Sequence, residues 1–305
     1  MNKNDKRCFM LTFKKIELED IQTLKAYFSA YPARQCDRSC GATVMWRNYF
    51  ENKYAIIDGT IILSSNFKNG LCFTFPIGRN IEAGLDAIEE YCNTHNIPMV
   101  LCSVNKKELP VLLKRYSYCV VDADRDWFDY LYEKDALLNL VGRKYGTPRN
   151  HINKFKKLYP DWTFEKIDSS NIPQLIDFTH GFTFNSDEKD EGAFDELKMC
   201  IEVLENYDAY GMLGGVLKVN GKIVGYSMGE IIGDTLFCHV EKADISYGGA
   251  YQMLTNQYLR MYAAGDEIKF VNREEDCGDP GLRKSKLSYN PIELLEKSTV
   301  TVKKG

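Results

Sequence analysis

Tyr54-Ala-Ile-Ile-Asp-Gly-Thr-Ile-Ile-Leu63 and Val216-Leu-Lys-Val-Asn-Gly-Lys-Ile-Val224 each set a dipeptide that tolerates positive φ, Asp58-Gly59 or Asn220-Gly221, between two apolar runs. This is the signature of a β-hairpin closed by a two-residue turn. The neighbours of the two hairpins correspond as well. Upstream, Phe13-Lys-Lys-Ile16 precedes a helical pattern of Ile21, Leu24 and Phe28 behind acidic Glu17, Glu19 and Asp20. Phe164-Glu-Lys-Ile167 likewise precedes the cap candidates Ser169 and Ser170 and an apolar series Ile172, Leu175, Ile176 and Phe178. Downstream of each hairpin come a strand, a glycine-bearing turn and an amphipathic helix. In the first half these are Leu71–Pro76, Gly78 and the face Ile81, Leu85, Ile88 and Cys92; in the second, Thr235–Val240, Gly248-Gly249 and the face Tyr251, Leu254, Tyr258 and Met261. A further strand follows in both, Met99–Val104 and Ile268–Asn272.

Five elements in one order, repeated at close to half the chain length, imply a tandem duplication of an α/β (α+β) unit. Each unit is expected to be a mixed central sheet flanked by helices. The expected division is an N-terminal domain over 1–135, a basic helical connector over 136–160 and a C-terminal domain over 161–305. Trp127–Tyr132 reads as a strand, and Leu137–Tyr159 as helical with a break at Pro148, since proline removes an i to i−4 hydrogen bond.

The chain of 305 residues is 44% apolar and 27% charged, which supports two self-sufficient cores and excludes a disordered or fibrous protein. Met1–Arg7 is polar and charged, and the apolar runs after it fall well short of the roughly 20 residues a bilayer span needs. The expectation is a cytoplasmic protein without a transmembrane association. Ten cysteines stand at irregular spacings, mostly inside apolar patterns such as Leu71-Cys-Phe-Thr-Phe75 and Val100-Leu-Cys-Ser-Val104, and read as buried reduced thiols. Cys36 and Cys40 could form half of a zinc site, but no second pair stands at ligand spacing, so no metal is expected. A net charge of −4 argues against bulk nucleic-acid binding.

The candidate chemistry lies in the second half. Thr235–Val240 leads through Glu241-Lys-Ala-Asp-Ile-Ser-Tyr247 into Gly248-Gly-Ala250 at a helix start, where backbone N–H groups and the helix dipole favour an anion. This segment resembles the acyl-CoA pyrophosphate loop of the GNAT acyltransferase superfamily. Gly248, Gly249 and Ala250 then become the cofactor-binding candidates, while Ile245 stands where the superfamily carries Arg or Gln. The next polar stretch, Asn272-Arg-Glu-Glu-Asp276 with Arg283 and Lys286, sits at a strand end, where open α/β sheets bind ligands. It reads equally as a charge-paired loop in which Arg273, Arg283 and Lys286 neutralise Glu274, Glu275 and Asp276.

Trp127-Phe-Asp-Tyr-Leu-Tyr132, Gly142-Arg-Lys-Tyr145, Arg149-Asn-His-Ile-Asn153, His239-Val-Glu-Lys-Ala243, Asn272–Asp276 and Gly281-Leu-Arg283 with Lys286-Leu-Ser-Tyr-Asn-Pro291 together resemble a bacterial family named for its similarity to the C-terminal domain of phosphatidylglycerol lysyltransferase. The resemblance implies two tandem GNAT-like domains and transfer of an acyl or aminoacyl group from acyl-CoA or aminoacyl-tRNA, as cosubstrate, to an amine or hydroxyl. No tightly bound cofactor is implied. The expected partners are a small-molecule or peptide acceptor and a tRNA acceptor end.

Such a transfer needs a base, an oxyanion donor and an acid. Glu241 is the candidate base and Tyr289 the candidate acid, with backbone N–H groups of Glu241–Ala243 at the oxyanion. Arg143, Lys144, Arg149, Asn150, Asn272, Arg273, Glu274, Arg283 and Lys286 are the candidate substrate-binding residues. Six basic residues (Arg143, Lys144, Arg149, Lys154, Lys156, Lys157) and His151 make the connector a candidate anion site or a solvated basic face. The competing expectation is a non-catalytic module of the same fold that binds a small metabolite or an RNA end. A nucleophilic hydrolase is disfavoured, since no Gly-x-Ser-x-Gly elbow occurs.

Overall fold

The computed structural model describes residues 11–68, 70–185 and 191–303; Met1–Arg7 and Cys8 lie outside the described residues. The first half of the chain forms β1 (Lys14–Lys15), α1 (Ile21–Ala30), α2 (Cys40–Met45), β2 (Lys53–Ile57), β3 (Thr60–Phe67), β4 (Gly70–Thr74), β5 (Ile77–Gly78), α3 (Ile81–Thr94), β6 (Met99–Val104), α4 (Leu109–Arg115) and β7 (Cys119–Asp122). After it come β8 (Asp129–Glu133), α5 (Lys134–Asn139), α6 (Gly146–Leu158), β9 (Trp162–Lys166), α7 (Ile172–Asn185), α8 (Glu191–Glu205) and α9 (Tyr207–Tyr210). The remainder is β10 (Leu213–Val219), β11 (Lys222–Ile232), β12 (Thr235–Ala243), α10 (Ala250–Tyr262), β13 (Phe270–Asn272), α11 (Pro280–Leu287), β14 (Glu293–Leu295) and β15 (Ser298–Val302).

Both hairpins form as their turn residues dictate. Asp58 and Gly59 (φ +45° and +68°) close β2 on β3, and Asn220 and Gly221 (φ +50° and +76°) close β10 on β11. The strands assemble into two sheets of one plan, β1-β2-β3-β4-β6-β15-β7 and β9-β10-β11-β12-β13-β8-β14 read from the matching edge. In each, the hairpin strands are antiparallel and a single parallel pair follows, β4 with β6 and β12 with β13. The duplication inferred from the hairpins is therefore present in the topology.

The division of the chain departs from a cut at 135 and 161. One compact unit comprises Met1–Tyr31, Trp46–Arg125 and Glu296–Gly305; the other comprises Pro32–Met45 and Asp126–Leu295. The reason is strand pairing. β8, which follows the first half's last helix, hydrogen-bonds to β13 and β14, whereas β15, its counterpart at the end of the second half, pairs with β6 and β7. Each sheet is thus completed by the other half's final strand. Val300 of β15 joins Phe73, Leu85, Ile88 and Leu101 in the first core, and Tyr130 and Tyr132 of β8 join Leu254, Tyr258 and Phe155 in the second.

The connector is also interrupted elsewhere than expected. α5 ends at Leu140, in the left-handed region (φ +49°), and Gly142 (φ +98°) turns the chain before α6 begins. Pro148 lies in the first turn of α6, where its missing N–H would have had no helical partner.

Candidate active site

In the second unit, α10 covers one face of the sheet, since Thr255 reaches Glu241 on β12. Helices α7 and α8 cover the other, where Thr179 meets Tyr226 and Glu196 meets Lys242. Strands β12 and β13 pair only over Thr235–Phe237 and Phe270–Asn272. Beyond that point β12 continues to Ala243, while the chain after Asn272 turns into a loop in which Glu274 takes φ +56° and Cys277 φ +49°. Non-glycine residues held in that region mark backbone constrained by its surroundings. The two parallel strands therefore part, and the gap between them is bridged by side chains.

On the α10 side, Arg273 donates through Nε (3.1 Å) and Nη2 (2.6 Å) to Glu241 Oε2, and Thr255 Oγ1 donates to Glu241 Oε1 (2.6 Å). Both side chains of this ion pair are largely buried, 8% exposed for Arg273 and 13% for Glu241. The guanidinium carbon lies 4.9 Å from the centre of the Tyr289 ring. Its Nη1 is buried and has no hydrogen-bond partner among the described residues. Burial would lower the pKa of Arg273, but the charge of Glu241 raises it, so the guanidinium stays protonated. Burial pushes the Tyr289 hydroxyl up to about 12, so it too keeps its proton. Ser227, opposite Glu241 on β11, also holds a buried hydroxyl without a partner among the described residues.

On the other side, His239 is fixed by two carboxylates, Nδ1 to Glu274 Oε1 (2.7 Å) and Nε2 to Glu230 Oε1 (3.0 Å). Burial alone would favour the neutral ring, but the two carboxylates raise its pKa to about 10. Burial raises the pKa of Glu274. The backbone N–H of Gly41 donates to the same Glu230 oxygen, and a Cβ on Gly41 would stand 2.4 Å from the His239 ring. Only glycine fits there.

Asn272 orients Asp129, donating from Nδ2 to Oδ2 (2.8 Å). Asp129, Cys36 and Glu275 bring one ligand-capable atom each to within 4.8 Å of one another, with Cys36 Sγ 3.4 Å from Asp129 Oδ1 and 3.2 Å from Glu275 Oε2. A thiolate and two carboxylates are donors a zinc ion accepts. Asp276 closes the loop: it accepts from Tyr130 (2.6 Å), from Arg283 Nε and Nη2 (3.0 and 2.7 Å) and from the Gly278 N–H (3.0 Å). Burial would raise its pKa, but these bonds hold it down at about 2.

The sequence candidates accordingly fall into separate places. Glu241, Arg273 and Tyr289 come together; Glu274 joins His239; Arg283 serves Asp276 and Asp126; Lys286 Nζ donates to the Glu275 carbonyl. In the connector, Arg143, Lys144 and Asn150 are exposed, and Arg149 donates to the carbonyls of Leu140 (2.6 Å) and Gly142 (3.1 Å), capping α5. Gly249 takes φ +94°, and a Cβ there would stand 2.5 Å from the His151 carbonyl, so it is needed for the approach of α6 to α10. Ala250 donates its N–H to Tyr247, and Ile245 is 85% exposed. Sequence reasoning passed over His239, Glu230 and Asp276 as site residues. Glu230 carried a signal, as an acid within the otherwise apolar run Ile223–Ile232.

A protein of unknown function from Bacteroides thetaiotaomicron VPI-5482 is 32% identical and superposes over 96% of this chain and all of its own (100%), with a TM-score of 0.90. L-PGS from Bacillus licheniformis is 12% identical and shares the fold over 93% of this chain and 92% of its own, TM-score 0.63. An uncharacterized protein of Mycoplasmoides gallisepticum is 27% identical over 176 residues, 57% of this chain. The match spans just over half, 56%, of that curated relative. The two sheets repeat one topology, and among the described residues no helix is long and apolar enough to cross a membrane. Residues 28–301 match the family model for the C-terminal region of phosphatidylglycerol lysyltransferase, and the chain belongs to that family.

Proposed function

We propose that the protein transfers an aminoacyl or acyl group to an amine or hydroxyl acceptor, with the reaction centred where β12 and β13 part. The observation that carries this reading is the unpartnered Nη1 of Arg273. A buried donor left unsatisfied costs free energy and is rare in folded proteins. Here it belongs to a guanidinium immobilised by Glu241, so it can bind the oxyanion of a tetrahedral intermediate without reorganising. The backbone N–H of Glu241 lies on β12 beyond the last residue paired with β13, Phe237, and can supply a further donor.

Glu241 Oε1 accepts the Thr255 hydroxyl and keeps a second lone pair for the acceptor's proton. Tyr289, protonated at neutral pH, gives its proton to the leaving oxygen or sulfur. Glu241 is then base, Arg273 oxyanion donor and Tyr289 acid, all in one ternary complex. An aminoacyl-tRNA donor is favoured over acyl-CoA. The start of α10 is committed to packing on His151, and the side chain at the superfamily's Arg or Gln position is the exposed Ile245. The family's lysyltransferase name agrees with this choice.

The test is ligand-dependent melting with CoA, acetyl-CoA and lysyl-tRNA, followed by turnover on whichever binds. Stabilisation by lysyl-tRNA, with transfer abolished in Tyr289→Phe, supports the reading. Binding without turnover for any acceptor amine or hydroxyl would instead leave a binding module of the same fold.

A further inference from the structure

The parallel strand pair of the first unit, β4 with β6, occupies the place that β12 and β13 hold in the second, but thiols take the place of ion pairs. Phe73 stands opposite Leu101 and Thr74 opposite Cys102. Alternation puts Phe73 and Leu101 into the core and turns Cys72 and Cys102 to the other face, on neighbouring strands. Their sulfur atoms are in contact at 2.6 Å. The exposures are 2% and 7%. Cys102 Sγ also lies 3.6 Å from the Phe73 carbonyl, which holds its side chain on the side of β4.

We propose that Cys72 and Cys102 form a redox-sensitive pair that a small hydroperoxide closes into a disulfide, stapling β4 to β6. One thiol, as thiolate, attacks the peroxide oxygen; the O–O bond breaks, leaving a sulfenic acid and releasing water or an alcohol. The second thiol then attacks that sulfur, forming the S–S bond and expelling water. Two thiols and one hydroperoxide thus give one disulfide, one water and one alcohol, or two waters when the oxidant is hydrogen peroxide. The two sulfurs already touch, so closure needs no rearrangement of the sheet, and resolution is intramolecular. Burial sets the rate, because the oxidant must reach a covered sulfur and buried thiols ionise reluctantly. The reaction is therefore slow beside that of an exposed thiol such as Cys277. The closed ring spans the strand, α3 and the return strand, so the oxidised unit is harder to unfold.

The experiment is oxidation of the reduced, native, full-length protein with excess hydrogen peroxide, sampled over a time course long enough for buried thiols to react. Quenching, unfolding, alkylation and peptide mapping follow. The expected result is loss of alkylation at both Cys72 and Cys102, later than at exposed Cys277, with a cross-linked peptide joining Cys72 to Cys102, reversal of that link by dithiothreitol and a higher melting temperature. In Cys72→Ser the cross-link and the melting shift are both absent, and Cys102→Ala gives the same outcome if the first variant folds poorly. An unchanged thiol count at these two positions, with Cys277 oxidised in the same sample, overturns the proposal. A cross-link between any other pair overturns it as well.

Discussion

At the scale of single residues, the second unit's polar groups divide by what their charge does for folding. Arg273→Ala would leave Glu241 buried beside an empty space, and losing one partner of a buried pair costs on the order of 3–5 kcal/mol. A large fall in melting temperature is expected. Arg273→Lys keeps a cation for Glu241 but removes the planar Nη1, so it should melt close to the parent and still fail in transfer. Measuring both properties on both variants separates the two roles. The pH dependence follows from signs. His239 has its folded pKa raised from 6.5 to about 10, so the stability it contributes is complete below about pH 6.5 and is lost as pH rises through about 10. Asp276 has its pKa lowered from 3.8 to about 2, so its contribution is present above about pH 4 and is lost as pH falls through about 2. Denaturant melts across pH should show the alkaline loss in the parent and a much flatter limb in His239→Gln. An equal slope in both would remove His239 as its source.

At the scale of elements, the local signals were legible because they act over a few residues. Turn dipeptides fixed both hairpins, and helical spacing placed Leu85, Ile88, Leu254 and Tyr258 in the two cores. The break in the connector was misplaced for the same reason: proline is the stronger local signal, whereas Leu140, buried in the second core, takes a left-handed conformation that no neighbouring residue type announces. The glycine turn before α10 shows the same limit. Sequence suggested an anion loop, while the structure shows the close approach of a carbonyl from α6. Gly249→Ala should therefore cost about 1–3 kcal/mol, since it combines positive φ with a clash. Gly248→Ala, with no atom within 4 Å of its added Cβ, should leave the melting temperature nearly unchanged. Equal effects from the two substitutions would contradict this account of the turn.

At the scale of the molecule, the duplication could be read from order, but the exchange of final strands could not. Periodicity says that residues 129–133 and 298–302 are strands and is silent on which sheet each joins. The site was legible to a similar degree. Glu241 and Arg273 were chosen as polar groups near strand ends and Tyr289 for its place after the last helix, and the three do meet. The partner of Glu274, His239 on β12, depended on how the loop after β13 turns, which no spacing encodes. The exchange makes a prediction of its own. A fragment ending at residue 135 lacks β15, so its sheet is open between β6 and β7 and should not fold alone. A synthetic peptide of residues 296–305 added in trans should raise its helical and sheet signal, and a fragment already folded without the peptide would refute the exchange as a structural requirement.

The central claim is that the parted strands of the second unit perform group transfer. Its most direct measurement is a single-turnover assay with enzyme in excess over lysyl-tRNA carrying labelled lysine, offered mixed amine and hydroxyl acceptors, and run with the parent chain and with Arg273→Lys. The account predicts rapid movement of label from tRNA to an acceptor with the parent. With the lysine variant, which should bind the same tRNA, it predicts a transfer rate at least roughly a hundredfold lower, the scale of losing one oxyanion donor. Equal transfer rates from the two proteins, or movement of the label only to water, would contradict it.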